Sequence, residues 1–100
     1  VSKSQRAKGA AGEQEVAALF REAGHNVLQL QRNRDELADL LVDGWLYLDV
    51  KRQERHQLRE WVKQVTASAP DGTVPAVAFR ANNQPWGLWL PALDFAERMP

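Results

Sequence analysis

The chain contains no cysteine, carries no net charge and has no long apolar run, and each absence removes a class of explanation. Without cysteine there is neither a disulfide framework nor a thiolate metal site, and His25 and His56 lie too far apart for zinc-ligand spacing such as HxxxH. A reducing, intracellular, cytoplasmic setting is expected. No segment approaches the roughly 18 to 20 apolar residues that span a bilayer, and the opening VSKSQRAKGAAGEQ lacks the apolar stretch of a signal peptide. No membrane partner is expected.

Thirteen basic side chains balance thirteen acidic ones, which argues against coating nucleic acid by bulk electrostatics. Their distribution is more informative than their sum. Lys3, Arg6 and Lys8 occupy the first segment with no acid among them, and Lys51, Arg52, Arg55, Arg59 and Lys63 outnumber Glu54 and Glu60. Acids gather between Asp35 and Asp49. Basic flanks around an acidic centre suit carboxylates that hold a cation while neighbouring segments meet phosphates; ordinary solvated charge is the plainer alternative. One hundred residues allow one domain with one core, so residues 1–100 read as a single domain with a basic N-terminal arm over 1–9.

Periodicity supplies the elements. Val16, Leu19, Phe20 and Ala23 recur at helical steps between about Ala10 and Ala23, with Gly24 as the C-terminal stop. His25 to Gln31 reads as a half-buried strand, followed by the polar loop QRNRDE. Leu37–Val42 and Trp45–Lys51 are strand-like runs around Asp43-Gly44, a hairpin signal. Leu58, Trp61, Val62, Val65 and Ala69 mark a second amphipathic helix from about Glu54 to Ala69, ended by Pro70-Asp71-Gly72. Val74–Arg80 and Trp86–Leu90 are strands across the turn Asn82-Asn83-Gln84-Pro85, and a short helix is expected from Pro91 through Phe95. The order is α-β-β-β-α-β-β with a small final helix, an α/β or α+β layering of sheet and helices.

The hairpin register decides whether a site exists. A two-residue type I′ turn pairs Val42 with Trp45 and puts Asp39 and Asp49 on opposite faces. A three-residue loop Val42-Asp43-Gly44 pairs Leu41 with Trp45, sets Asp39 opposite Tyr47 and gathers Asp39, Asp49 and Lys51 on one face. Only the second collects Ala38, Leu40, Leu46, Leu48 and Val50 on one wholly apolar face, so that register is expected.

Two carboxylates and an ammonium on a rigid hairpin suit phosphodiester hydrolysis. The acids can hold Mg²⁺ or Mn²⁺ while leaving positions for water and a phosphate oxygen, and Lys51, two residues beyond Asp49, points the same way to orient water and stabilise developing charge. The spacing D-x(n)-[DE]-x-K is weak by itself. A solvent-exposed hairpin face with a cross-strand Asp/Lys pair of little energetic weight is the bland alternative. A further acid can come from the first helix: Glu13 aligns with Val16, Ala17 and Phe20, whereas Glu15 aligns with Ala18, Leu19 and Glu22 nearer the exposed side. Glu13 is therefore the expected metal or water ligand, against a simple helix-dipole role.

Together, KGAAGEQEVAALFREAGHNVLQL, DLLVDGWLYLDVKRQ and VPAVAFR resemble the archaeal-type Holliday junction resolvases and their phage relatives over most of the chain. Gly9 and Glu13 match the spacing of that family's first motif. The resemblance implies a restriction-endonuclease-like PD-(D/E)XK α/β fold, a mixed sheet flanked by helices. It also implies a site of Glu13, Asp39, Asp49 and Lys51, with the Val50 carbonyl among the ligands of Mg²⁺ or Mn²⁺. A four-way DNA junction as substrate and a homodimer follow, since resolution needs two symmetric cuts. Ala10 stands where the family usually has serine, Asp49 where it usually has glutamate, and the chain is shorter than typical members. A nicking or repair nuclease without junction preference, or a DNA-binding module that does not cut, remain alternatives.

Arg6, Lys8, Arg34, Arg52 and Arg55 are the candidate phosphate contacts, with unspecific surface charge as the alternative. Trp61 reads as core. Trp45, Trp86 and Trp89 suit base stacking, a sheet core or a dimer interface, and Trp86 beside Pro85 is the preferred exposed interface residue. His25 and His56 read as surface residues, and Gln53 and Gln64 are possible helpers at the site.

Overall fold

The computed structural model describes the backbone of residues 3–30 and 40–99, and the side chains of residues 11–30 and 40–99. The elements are α1 (Lys3–Glu22), β1 (Val27–Gln29), β2 (Leu40–Val42), β3 (Leu46–Arg52), α2 (Leu58–Ser68), β4 (Val74–Arg80), β5 (Gly87–Trp89) and α3 (Ala92–Arg98). α1 starts at Lys3 rather than Ala10, so residues 3–9, expected as a basic arm, continue the helix. Asp39, Arg34, Ala38 and the QRNRDE segment lie outside the described residues, as do the side chains of Arg6 and Lys8.

Among the described residues one five-stranded sheet has the order β1-β2-β3-β4-β5. β3 and β4 are parallel, joined by α2 as crossover, and the other neighbours are antiparallel. Mixed pairing follows from the chain order, since a parallel neighbour needs a long crossover while hairpins give antiparallel ones. Pro75 is tolerated in β4 because the pairing with β5 reaches only Val77.

Alternation along β3 divides the core in two. Leu46, Leu48 and Val50 join Leu40, Val42, Val74, Ala76 and Ala78 beneath Val16 and Ala17 of α1. Tyr47 and Val77 face the other way, beneath Trp61 and Val65 of α2. The result is three layers, helix on sheet on helix, each side chain of this size contributing roughly 1.5–3 kcal/mol by burial. Leu19, counted among the apolar repeats of α1, is 48% exposed; the buried stripe runs instead through Val16 and Ala17, with Phe20 packed at its edge.

The hairpin keeps the expected faces in a different register. Leu41 opposes Tyr47 and Val42 opposes Leu46, rather than Leu41 opposing Trp45. Asp43 (φ 53°) and Gly44 (φ 75°) both adopt the left-handed conformation, and the Trp45 amide donates to the Val42 carbonyl at 3.1 Å. Two positive φ values are the mark of a type I′ turn, with Trp45 rather than Val42 as the extra third residue of the loop. Moving the extra residue across the turn shifts the register by two positions, which leaves side-chain parity unchanged. Leu40, Leu46, Leu48 and Val50 therefore share one face as expected.

Candidate active site

β3 runs from a buried start to a half-buried end, and this gradient places its polar residues. Asp49 is 1% exposed and is the single buried charged residue among those described. Strand alternation puts it and Lys51 on the α2 side. Lys51 Nζ stands 3.5 Å from Asp49 Oδ2, its side chain 24% exposed. Burying a carboxylate costs several kcal/mol unless partners compensate, so a cation beside Asp49 offsets part of that cost. Lys51 is such a partner, and its partial exposure leaves room for a ligand.

An aromatic wall flanks Lys51. Phe79 lies opposite Lys51 in the parallel ladder, and the rings of His56 and Trp61 approach it with centroids at 5.3 and 6.5 Å. Trp61 is core, as its helical spacing predicts, while His56 is exposed and rests on this wall. Gln64 is half-buried on α2, and Gln53 is exposed just beyond β3.

α1 approaches from the opposite side of the sheet. A Cβ on Gly12 would meet Val50 Cγ1 at 3.5 Å and both Arg52 Cβ and Trp86 Cη2 at 3.4 Å, so this turn of the helix rests directly on the C-terminal half of β3. Glu13 follows at once and is half-buried. Glu15, expected nearer the exposed side, is instead 37% exposed and paired with two arginines. Arg80 Nη1 donates to Glu15 Oε1, and Arg52 Nη1 lies 3.7 Å from Glu15 Oε2. Sequence spacing had no means of finding this, because Arg52 and Arg80 become neighbours only through the parallel pairing of β3 and β4.

The other predicted residues are scattered. Arg52 is half-buried in the Glu15 pair, and Arg55 is exposed in the loop before α2. His25 is exposed and bonded to Asp43, Nδ1 to Oδ2 at 2.5 Å, far from the Lys51 end of β3. Trp86 is not the exposed residue expected beside Pro85: it is half-buried against the α1-side core, because Gly12 opens a place for its ring. Trp45 packs on the same core with the Arg98 guanidinium 4.0 Å above its ring, and Trp89 packs on the α2-side core.

Among the described residues no group of three His, Cys, Asp or Glu side chains could hold a metal ion. The candidate donors nonetheless are hard oxygen ligands that suit a divalent cation such as Mg²⁺: a buried Asp49 carboxylate and a half-buried Glu13 on the helix turn over β3, with no thiolate in the chain. No helix among the described residues is long and apolar enough to cross a membrane.

No protein-family model and no curated protein matches the sequence. Among solved structures, Hjc, a Holliday junction resolvase from the archaeal hyperthermophile Archaeoglobus fulgidus, is similar with a TM-score of 0.66. The match covers 83% of this chain and 72% of that one at 19% sequence identity. The chain thus has the α/β fold of that nuclease, a mixed five-stranded sheet flanked by helices.

Proposed function

We propose that the chain is a metal-dependent DNA endonuclease that resolves four-way junctions as a homodimer. The observation that carries this reading is the buried Asp49 with Lys51 Nζ 3.5 Å away, on a strand of a fold shared with a junction resolvase. Asp49 and Asp39 would hold Mg²⁺ or Mn²⁺ with the Val50 carbonyl, and Glu13, which follows the helix turn seated on the C-terminal half of β3, would reach the ion from the other layer around that strand end. Asp39 immediately precedes Leu40, whose partner across the hairpin is Leu48, the neighbour of Asp49. The bound cation supplies water activation and offsets charge in the transition state.

The chain's own groups do the rest. Asp49, excluded from bulk water, fixes the direction of the Lys51 ammonium 3.5 Å away. Lys51 orients the attacking water and donates hydrogen bonds to the phosphoryl oxygens as negative charge develops. Glu13 brings a carboxylate from a second layer of the fold. Arg6, Lys8, Arg34, Arg52 and Arg55 meet backbone phosphates, which position the duplex arms without reading sequence. Two protomers are needed because resolution requires a symmetric pair of cuts.

The test is incubation of a labelled four-way junction, a linear duplex and a supercoiled plasmid with the protein, with Mg²⁺ or EDTA, alongside Asp39→Ala and Lys51→Ala. Paired symmetric cuts in the junction alone support resolution. Cutting of every substrate replaces it with a general nicking or repair nuclease, and binding without metal-dependent cutting sinks both enzyme readings.

A further inference from the structure

On the face of the sheet opposite Asp49 and Lys51, the structure concentrates unmatched donors at one place. Arg52 and Arg80 are the last pair of the parallel β3–β4 ladder, on the α1 side of the sheet, at the carboxyl ends of both strands. Ligands of open α/β sheets collect at that end. The two guanidinium groups share a single carboxylate, Glu15, and the Arg80 guanidinium also lies 6.0 Å from the centre of the Trp86 ring.

The donor and acceptor count does not balance. Arg52 Nε, Arg80 Nε and Trp86 Nε1 are buried N–H groups without a hydrogen-bond partner among the described residues, against one such acceptor in the cluster, Glu15 Oε2. A salt bridge serving only to fasten α1 to the sheet matches its donors with acceptors, since buried unpaired donors are costly. Here two cations and three spare donors face one anion. Two guanidinium charges against one carboxylate leave positive charge over, which suits a further anion with several acceptor oxygens, the chemistry of a phosphodiester. The Nε atoms and Trp86 Nε1 are themselves buried, but the arginine side chains remain 24% and 22% exposed, so such a group can reach the outer edges of the guanidinium groups from solvent.

We infer that Arg52, Arg80 and Trp86 form a seat for one backbone phosphate of bound DNA, with Arg80 as its principal contact and Glu15 as the resident counter-ion. This rests on the reading that the chain binds DNA. In the free protein Glu15 holds two like charges together, and in the complex the phosphate shares or takes over that task. Arg52 follows Lys51 directly in β3, so the seat lies at the same strand end as the proposed site and grips the strand near it.

The test measures binding of labelled junction and duplex DNA by the full chain in EDTA, across about 50 to 200 mM salt. Arg80→Gln is expected to weaken binding and to reduce the slope of log affinity on log salt by about 0.9, the contribution of one phosphate contact. Arg80→Lys keeps the charge and is expected to keep the slope, which guards against loss of folding in the glutamine variant. Glu15→Gln, which removes the competing anion, is expected to bind at least as tightly as the parent. If the cluster is only a structural clip, Arg80→Gln and Glu15→Gln lose thermal stability together and neither moves the slope, which overturns the inference. A parent chain that retains no DNA overturns it along with the DNA reading; binding that shows the expected slope change without cleavage strikes only the hydrolytic reading.

Discussion

At the scale of single residues, Asp49 and Lys51 depend on each other. Asp49 is 1% exposed, and Lys51 is the cation beside it. Lys51→Ala is expected to slow cleavage by about 10²–10³-fold, the scale of losing one transition-state donor. It also removes a cation from beside a buried carboxylate and should lower the thermal midpoint. Lys51→Arg separates the two effects: the charge remains and so should stability, while the rate still falls because a planar guanidinium does not replace a compact ammonium with three rotatable donors. Single-turnover cleavage and thermal melts on both variants give the answer, and a fully active Lys51→Arg would argue for a charge-only role.

Gly87 is a second residue whose identity is set by a neighbour. A Cβ there would come within 2.9 Å of Phe79 Cζ, closer than side-chain carbons approach. Phe79 cannot yield freely, because its ring lies against His56 and Trp61. Gly87→Ala is expected to cost about 1–3 kcal/mol, the range for overpacking a filled site. Urea denaturation reads this directly, and Phe79→Leu in the same chain should recover part of the loss.

At the scale of elements, the β2–β3 turn is fastened to the turn that follows α1. Asp43 holds its left-handed conformation while Oδ2 bonds to His25 Nδ1, Oδ1 accepts from the Asn26 amide at 2.9 Å, and its own amide donates to the Asn26 carbonyl at 2.9 Å. The His25 side-chain bond, then the Asn26 amide, hold the Asp43 carboxyl below its usual range. A depressed folded-state value stabilises the protein above the unfolded aspartate value of about 3.9 and loses that contribution as pH falls through the folded value. Melts between about pH 6 and pH 2 should therefore decline more steeply at the acid end for the parent than for Asp43→Asn, which keeps the left-handed preference but not the charge. Equal acid limbs would remove the clip as a source of acid sensitivity.

At the scale of the whole molecule, a bound cation would link the elements that supply its ligands. On the proposed site α1 would bring Glu13 and β3 would bring Asp49, so binding would add stability according to occupancy, about 2.7 kcal/mol when the ion is at a hundred times its Kd. Mg²⁺ or Mn²⁺ should raise the thermal midpoint of the parent, and EDTA should reverse the rise. Asp49→Asn should show little of this shift, and an equal shift in both proteins would place the ion elsewhere.

How much of this was readable from the chain varies with the range of the interaction. Residues 74–80 were expected as a strand and form β4 with those bounds, because a β-branched and aromatic run between turn signals is a local property. The apolar face of β2 and β3 was also legible, since alternation needs only the sequence and survived a register different by two residues. The exact turn was not: Asp-Gly allows several loops, and whether Val42 or Trp45 is the extra residue depends on which side chains the two layers accept. Asp39 falls outside the described residues, so its place in the site remains the expectation drawn from the sequence.

The composition excluded thiolate and disulfide chemistry, while the periodic apolar residues determined two helices packed on a sheet, and the Asp49-Val50-Lys51 spacing determined a carboxylate and an ammonium on one strand face. Tertiary structure decided the rest. Only parallel pairing of β3 with β4 brings Arg52 beside Arg80, and only the close approach of α1 at Gly12 turns Glu15 onto both and half-buries Trp86 beside them. Patterns along the chain reveal which face a residue takes; which residues share that face across layers depends on crossovers and packing, where partners are dozens of residues apart.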